Sequence, residues 1–525
     1  MKKILTILSL FQFFFYNVNS YSQQAGSLDT TFGINGINLI SYPDFYGGTS
    51  RAGFCARQNS GKLVSFYGNT YVNLPDYTTY NVDNVTRYNA DGTKDTSFGL
   101  NGAVDTSLFN FGGGISGIMN QQNDKILILI MGVNSHPTQI GGAAIYRLNI
   151  NGTLDTTFGV NGIVYIDSSI INTANFSAIC LPDDSIVYVV MDGFTADNNK
   201  TLQFKRYTAN GAIDTLFGTN GTATYSNLNF YTINNLSVQN DGKLLLSGNY
   251  YFLSNTNNPG GISTYRFNAN GTIDTAFCTN GNYFDTNNGN GYYVEDNDKH
   301  FIQPDGKIIV AGKSYTYPYV LVLYRLNANG TLDTTFGANG YVTNNEYSNW
   351  GIGNIVFTPD NKMIVVRRVD NINLIRYTID GTIDNSFGNN GSVLHSYLNG
   401  GYHSGPISSY VENGKLMVFG LAATGVNLPP YFGLMRVHLG SLANDEFTLN
   451  SFKVYPNPTI NELFFDNKDY LFDKILVINQ NGQVVMQQNL SIDSKSVNLE
   501  QLPIGVYNLK FVNSNKIETV KIIKK

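Results

Sequence analysis

The chain has 525 residues and carries 33 Lys and Arg against 38 Asp and Glu, a formal charge of −5. Mild acidity without a basic block argues against nucleic acid as a partner, and three scattered cysteines, Cys55, Cys180 and Cys278, are too few for a disulfide framework or a thiolate metal site. Charged residues are only 14% and aromatics 13%, a balance that suits a core of sheet-forming residues, and the three cysteines are expected as small buried thiols within it.

The first element runs from Met1 to Ser22. Lys2 and Lys3 precede an apolar run from Ile4 to Tyr16, and Ser20-Tyr21-Ser22 follows before Gln23, which is the plan of a secretory signal. The run is short for a bilayer span, so no transmembrane segment is expected in the mature chain. Removal would take away two lysines and no carboxylate, moving the formal charge from −5 to −7. No cysteine near the cleavage point provides for a lipid anchor.

From Asp29 onward one phrase, Asp-x-x-Phe-Gly-x-Asn-Gly, recurs seven times, with its phenylalanines at Phe32, Phe98, Phe158, Phe217, Phe277, Phe336 and Phe387 and with Cys278 in place of the glycine after Phe277. A period of about sixty residues is too long for one helix pair and suits a four-stranded sheet with its turns, a propeller blade. The fifth unit shows the plan. After Asn280-Gly281 a short strand is expected, then His300 to Gln303, a Pro304-Asp305-Gly306 turn, an apolar strand from Lys307 to Gly312, and a last strand from Val320 to Leu326.

The third strand of each unit does not alternate. Ile126 to Ile130, Ile186 to Val190 and Ile364 to Val366 are continuous apolar runs, as a strand buried on both faces requires, and neighbouring blades would supply that burial. Within the phrase, Asp can cap a short turn, Phe can plug the gap beneath it, and the glycines can take positive φ. Asn-Gly is present in all seven copies, a uniformity that suits scaffolding.

A second regularity bears on closure. Six arginines stand eight residues before the repeat aspartate, from Arg87 before Asp95 to Arg376 before Asp384. The first aspartate, Asp29, has no such arginine, and the last arginine, Arg436, has no such aspartate. If each pair marks a junction, Arg436 should meet Asp29 and join the two ends of the array. The expected fold is all-β: a seven-bladed β-propeller of four-stranded blades over residues 23–440, a linker at 441–450, and a small immunoglobulin-like β-sandwich at 451–525. An open solenoid is the alternative.

Two resemblances follow from motifs. Asn151-Gly-Thr-Leu-Asp-Thr-Thr-Phe-Gly159 and Gln303-Pro-Asp-Gly-Lys307 resemble the bacterial delta-60 repeat, which implies a propeller and no settled activity. In the last eighty residues, Val454-Tyr455-Pro456-Asn457-Pro458, the Gly505-Val506-Tyr507 strand and a lysine-rich final strand resemble the C-terminal sorting domain of the type IX secretion system of Bacteroidetes. That resemblance implies export across the inner membrane, the type IX machinery as a partner, and release or attachment at the cell surface.

Motifs of catalysis are sparse. His136, His300, His395, His403 and His438 lack metal-ligand spacing, and His395 and His403 read as surface residues. Glu295, Asp296 and Asp298 cluster in the fifth unit and read as loop charges rather than a calcium site. No pair of carboxyl groups is nominated for glycoside chemistry, and no cofactor is expected. Aromatics lead instead. Tyr71, Tyr77 and Tyr80 in one loop, Tyr250 and Tyr251, Tyr315, Tyr317 and Tyr319, and Trp350 could form a platform for sugar or protein surfaces. The threonines of Asp29-Thr30-Thr31 and four similar triplets resemble an O-glycosylation sequon of exported Bacteroidetes proteins, although turn capping accounts for the same residues. The expected function is a non-catalytic, secreted or surface-displayed propeller binding an extracellular glycan or protein; the alternative is a secreted hydrolase or lyase acting on polysaccharide.

Overall fold

The computed structural model describes residues 24–41, 48–50, 54–72, 79–104, 114–133, 142–166, 175–191, 200–228, 230–250, 261–284, 299–313, 320–344, 352–369, 371–398, 403–423, 430–440, 454–465, 472–479, 483–491, 493–513 and 517–525. The chain divides into two compact units, Met1–Ser441 and Leu442–Lys525. No helix among the described residues is long and apolar enough to cross a membrane.

The described residues of the first unit form seven antiparallel four-stranded sheets, the blades of a β-propeller. The third is representative: Phe176–Cys180, Ile186–Met191, Thr201–Tyr207 and Thr222–Ser226 follow one another as a meander. The first is irregular. Gly48–Ser50 and Phe54–Arg57 both pair with Leu63–Val72, along different halves of it, and Thr79–Tyr88 pairs on its other side. Its outer position keeps only a bridge from Thr86 to Ala103.

The sheets are out of phase with the units read from sequence. Asn282–Phe284, the strand after Asn280-Gly281, pairs with Gly261–Phe267 and is therefore the outer strand of the preceding sheet. The physical reason is that Asn-Gly closes a tight reversal, with Asn280 at φ 53° and Gly281 at φ 88°, which returns the chain alongside the strand it has just left. The same phase carries Ile37–Ser41, near the start of the chain, onto Pro430–His438 as the outer strand of the last sheet. Innermost strands then approach one another around the unit, Phe54–Arg57 meeting Gly114–Asn120 on one side and His403–Glu412 on the other.

Burial on both faces of the second strand holds the sheets together. In Ile186–Met191, Ile186, Tyr188 and Val190 pack with Leu127, Leu129 and Ile145 of the preceding sheet. Val187, Val189 and Met191 pack with Leu236, Leu244 and Leu246 of the following one. Each such side chain removed from water contributes about 1.5–3 kcal/mol, and this explains why the strand cannot alternate in polarity.

The second unit is two sheets over one core. Val454–Tyr455, Glu462–Phe465 and Ser496–Asn498 form one; Val484–Asn489, Lys474–Ile478, Gly505–Val512 and Ile517–Lys524 form the other. Leu463, Phe465, Ile475, Val477, Leu509 and Phe511 fill the space between.

Candidate functional site

The recurring polar site of the first unit lies at the blade junctions. At Asp155, Oδ1 accepts the Thr157 N–H at 3.1 Å and its hydroxyl at 2.6 Å. Oδ2 accepts Arg147 Nε at 2.8 Å and Lys125 Nζ at 2.7 Å. The Arg147 guanidinium lies over the Phe158 ring, 4.6 Å from its centroid, while Nη1 donates to the Ala209 carbonyl of the next turn at 2.6 Å. Beside it the Gly159 N–H donates to the Asn210 carbonyl at 2.9 Å. One phrase thus caps its own turn, plugs the junction and bonds the next unit.

The same arrangement recurs down the chain. Arg87, Arg206, Arg266, Arg325 and Arg376 pair with Asp95, Asp214, Asp274, Asp333 and Asp384. Their Nη1 atoms donate to the carbonyls of Ile150, Ala269, Ala328, Ile379 and Leu439. Lysines, which the sequence reading passed over, join most of these pairs: Lys62, Lys243, Lys307 and Lys362 reach Asp95, Asp274, Asp333 and Asp384. The signal was present, since a lysine follows the first turn of most units.

Arg436 and Asp29 complete the series. Arg436 Nε donates to Asp29 Oδ2 at 2.8 Å, and its guanidinium lies over Phe32. Lys415 Nζ stands 3.1 Å from the same oxygen. The turn that each unit makes before its phrase is here assembled from both chain ends. Gly26 N–H donates to the His438 carbonyl at 2.7 Å and His438 N–H to the Ser27 carbonyl at 2.9 Å. These two bonds reproduce those of Gly152 and Asn149 within the continuous third turn.

Charge in this site is fixed rather than poised. Burial raises the Asp29 carboxyl, but the Thr31 hydroxyl, the Lys415 ammonium, the Thr31 N–H and Arg436 outweigh it and hold the group well below the ordinary carboxylate range. Asp95, Asp155, Asp333 and Asp384 are held there likewise, against burial, by their lysine, hydroxyl and arginine neighbours. Among the described residues no group of three or more His, Cys, Asp and Glu is placed to hold a metal ion.

The aromatic platform fares unevenly. Tyr77, Tyr251, Tyr315, Tyr317, Tyr319 and Trp350 lie outside the described residues, as do Glu295, Asp296, Asp298 and His136. Tyr71 and Tyr80 are not in a loop: they stand opposite each other on the paired strands Leu63–Val72 and Thr79–Tyr88, because the hairpin extends further than the apolar run that marks it. Tyr250 ends Leu244–Tyr250, is 3% exposed, and meets Phe284 edge-on at 5.4 Å. Its ring is blade packing and presents no face to a ligand. The three cysteines are half-buried rather than fully enclosed; burial nonetheless pushes the Cys55 and Cys180 thiols up to about 12, with Asp184 and Asp183 adding to the effect at Cys180.

One histidine differs from expectation and a second has partners that the sequence does not reveal. His395 is half-buried, and its Nε2 donates to the Gly26 carbonyl at 2.7 Å. His300 is buried between sheets, with Nε2 2.5 Å from Ser237 Oγ and Nδ1 2.7 Å from Ser247 Oγ. Burial pushes its pKa down to about 3, so it is neutral, one nitrogen donating and the other accepting. Nothing in the spacing of Ser237, Ser247 and His300 marks them as partners, because they come from strands of two different sheets.

Comparison with known proteins places these features. Residues 76–98, 239–277, 303–336 and 358–387 match the family described as "Domain of unknown function (DUF5122) beta-propeller", and residues 453–525 match the "Secretion system C-terminal sorting domain". No curated protein matches the sequence. Similar solved structures include the beta-propeller domain of the Trilobed protease from Pyrococcus furiosus, at 12% identity and TM-score 0.40, covering 77% of this chain and 98% of that one. The polysaccharide lyase Uly1 is similar at 10% identity and TM-score 0.45, covering 79% and 100%. Drosophila Semaphorin 2a is similar at 8% identity and TM-score 0.42, covering 93% and 97%.

Proposed function

We propose, from the premise that this chain carries β-propeller repeats of a family of unknown function ahead of a secretion system C-terminal sorting domain, that it is a non-catalytic binding module displayed outside the cell. The sorting domain assigns export to the type IX machinery, and with it a secreted or cell-surface destination. The ligand is an extracellular glycan or protein, and Tyr77, Tyr251, Tyr315, Tyr317, Tyr319 and Trp350 are the residues that the sequence nominates to contact it.

The observation that carries the reading is the state of the repeat carboxylates. Asp29, Asp95, Asp155, Asp333 and Asp384 each hold an arginine and a lysine and are kept ionised. An acid held ionised in this way has no proton to give to a leaving group and is no freer to accept one, so the chemistry that repeats around the propeller is cohesion.

Two experiments test the proposal. Deleting residues 453–525 is expected to remove the protein from the cell surface and medium; unchanged surface display would contradict the assigned route. On a glycan array and on whole cells, the purified protein is expected to bind, and Trp350→Ala with Tyr317→Ala to lose at least tenfold. Turnover of a polysaccharide by the wild-type protein would replace the proposal with an enzymatic one.

A further inference from the structure

Among the described residues, the junction from the last sheet to the first lacks both bonds to main-chain carbonyls that seal the other six. At those six, arginine Nη1 donates to a turn carbonyl of the next unit, and the residue after the phrase phenylalanine donates its N–H to a second one, which is one position further on at five junctions and Ala25 at the sixth. The counterparts here are Arg436 with Ala90 and Gly33 with Asp91. Among the described residues neither bond forms: Arg436 gives Nε to Asp29 and Nη2 to Thr31, and the Gly33 N–H has no acceptor.

A substitution in the repeat accompanies the gap. Six residues after the phrase phenylalanine, the other copies carry Val104, Val164, Ala223, Tyr283, Val342 and Val393, whereas this one carries Asn38. Its Nδ2 donates to the Gly92 carbonyl at 2.5 Å, so a side-chain amide reaches the turn next to the two carbonyls left open. Alongside lies a cavity of about 1010 Å³ bounded by Phe32, Gly33, Asn38, Asp91, Leu398 and Arg436. It stands at the top of the ~300–1,000 Å³ range of ligand pockets.

We propose that this cavity binds an extended peptide segment, one of whose main-chain carbonyls accepts from Arg436 Nη1 and the Gly33 N–H. The molecule itself supplies the argument for that occupant, since six equivalent arginines each hold a peptide oxygen with this same nitrogen. The carbonyls of Ala90 and Asp91, which accept no bond from a described residue, are free to take the segment's own N–H groups. A carboxylate ligand is disfavoured, because Asp29 already balances Arg436 and the Asp91 carboxylate lines the same space. Leu39 and Leu398 give apolar walls for side chains, Ile34 is 82% exposed at the rim, and the edge strand Ile37–Ser41 borders the site as strand-adding recognition requires. The proposal rests on the reading of the propeller as a binding module.

The test uses the full chain and a pooled library of N-acetylated, C-amidated random heptapeptides. Enrichment on the wild type is expected, with at least a tenfold loss on Asn38→Val, which restores the residue type of the sealed junctions, and on Leu398→Trp, which fills the cavity from the opposite wall. Both variants should keep the wild-type unfolding transition. No enrichment, or equal binding to both variants, overturns the proposal, and so does displacement of the peptides by millimolar glucuronate. Glycan or cell binding that survives in Asn38→Val while no heptapeptide binds would discard this site and leave the binding module standing.

Discussion

Arg436 donates Nε to Oδ2 of Asp29 at 2.8 Å across 407 residues of sequence. The pair is built like the local ones, which span eight residues, but among the described arginine–aspartate pairs of the repeat it is the one that joins the start of the array to its end. Removing the Asp29 charge strands two cations, Arg436 and Lys415, beside a buried amide.

Asp29→Asn is therefore expected to destabilise the propeller by about 3 kcal/mol, the low end of the ~3–5 for a broken buried pair, because Arg436 keeps 26% exposure. Asp214→Asn, in a pair with 17% exposure on both sides and no lysine partner, should cost closer to the ~1 kcal/mol of surface pairs. Urea unfolding of the two variants checks the order.

Acid should act in two stages. His300 is neutral in the fold with its pKa pushed down to about 3, whereas the unfolded chain takes a proton near the ordinary 6.5. The unfolded state thus binds more protons in that window, and stability falls as pH drops from 6.5 toward 3, by up to about 1.4 kcal/mol per pH unit. Below about pH 4 the lowered aspartates add a steeper loss, since the unfolded chain protonates them first. Urea midpoints measured from pH 8 to 3 should show both stages, and His300→Gln should reduce the first without removing it, because burial also holds His395 and His438 below the ordinary value.

Glycine substitutions should separate strain from collision. Gly271 has φ +88°, and an added Cβ would lie 2.7 Å from the Phe217 ring. Gly414 has φ +70° with nothing within 4 Å. Gly414→Ala should cost about 1–2 kcal/mol from the left-handed backbone alone, and Gly271→Ala about 2–5 once overpacking is added. Equal thermal shifts would show that Phe217 yields freely.

The tail has its own core, so its stability should be separable. Leu509→Ala, at a fully buried position among Phe465, Ile475 and Phe511, is expected to remove about 2–5 kcal/mol from Leu442–Lys525. Calorimetry should show one transition lowered and the propeller transition unmoved.

Much of this was legible because repetition converts weak signals into strong ones. A single Asp-x-x-Phe-Gly says little, but the offset of arginine and aspartate, read to its unpaired ends, nominates Arg436 and Asp29 without a structure. What stayed hidden depends on which strands become neighbours. The Asn-Gly reversal sends Asn282–Phe284 back to the preceding sheet, and a period alone does not say where a sheet begins. Tyr250 looked available in a tyrosine-rich stretch, and only its ring contact with Phe284, two strands away in the same sheet, shows it enclosed. The Asn38 departure was visible as a letter, but its effect required knowing that the turn at Gly92 faces it.

The turn assembled from Gly26, Ser27 and His438 makes the order of the blades arbitrary. Where the two ends of the array lie hydrogen-bonded in the place of an ordinary loop, the propeller could be cut at any other loop of that kind and those two ends fused. A permuted chain opened between Asn151 and Gly152, with residue 439 joined to residue 24, should reach the same propeller.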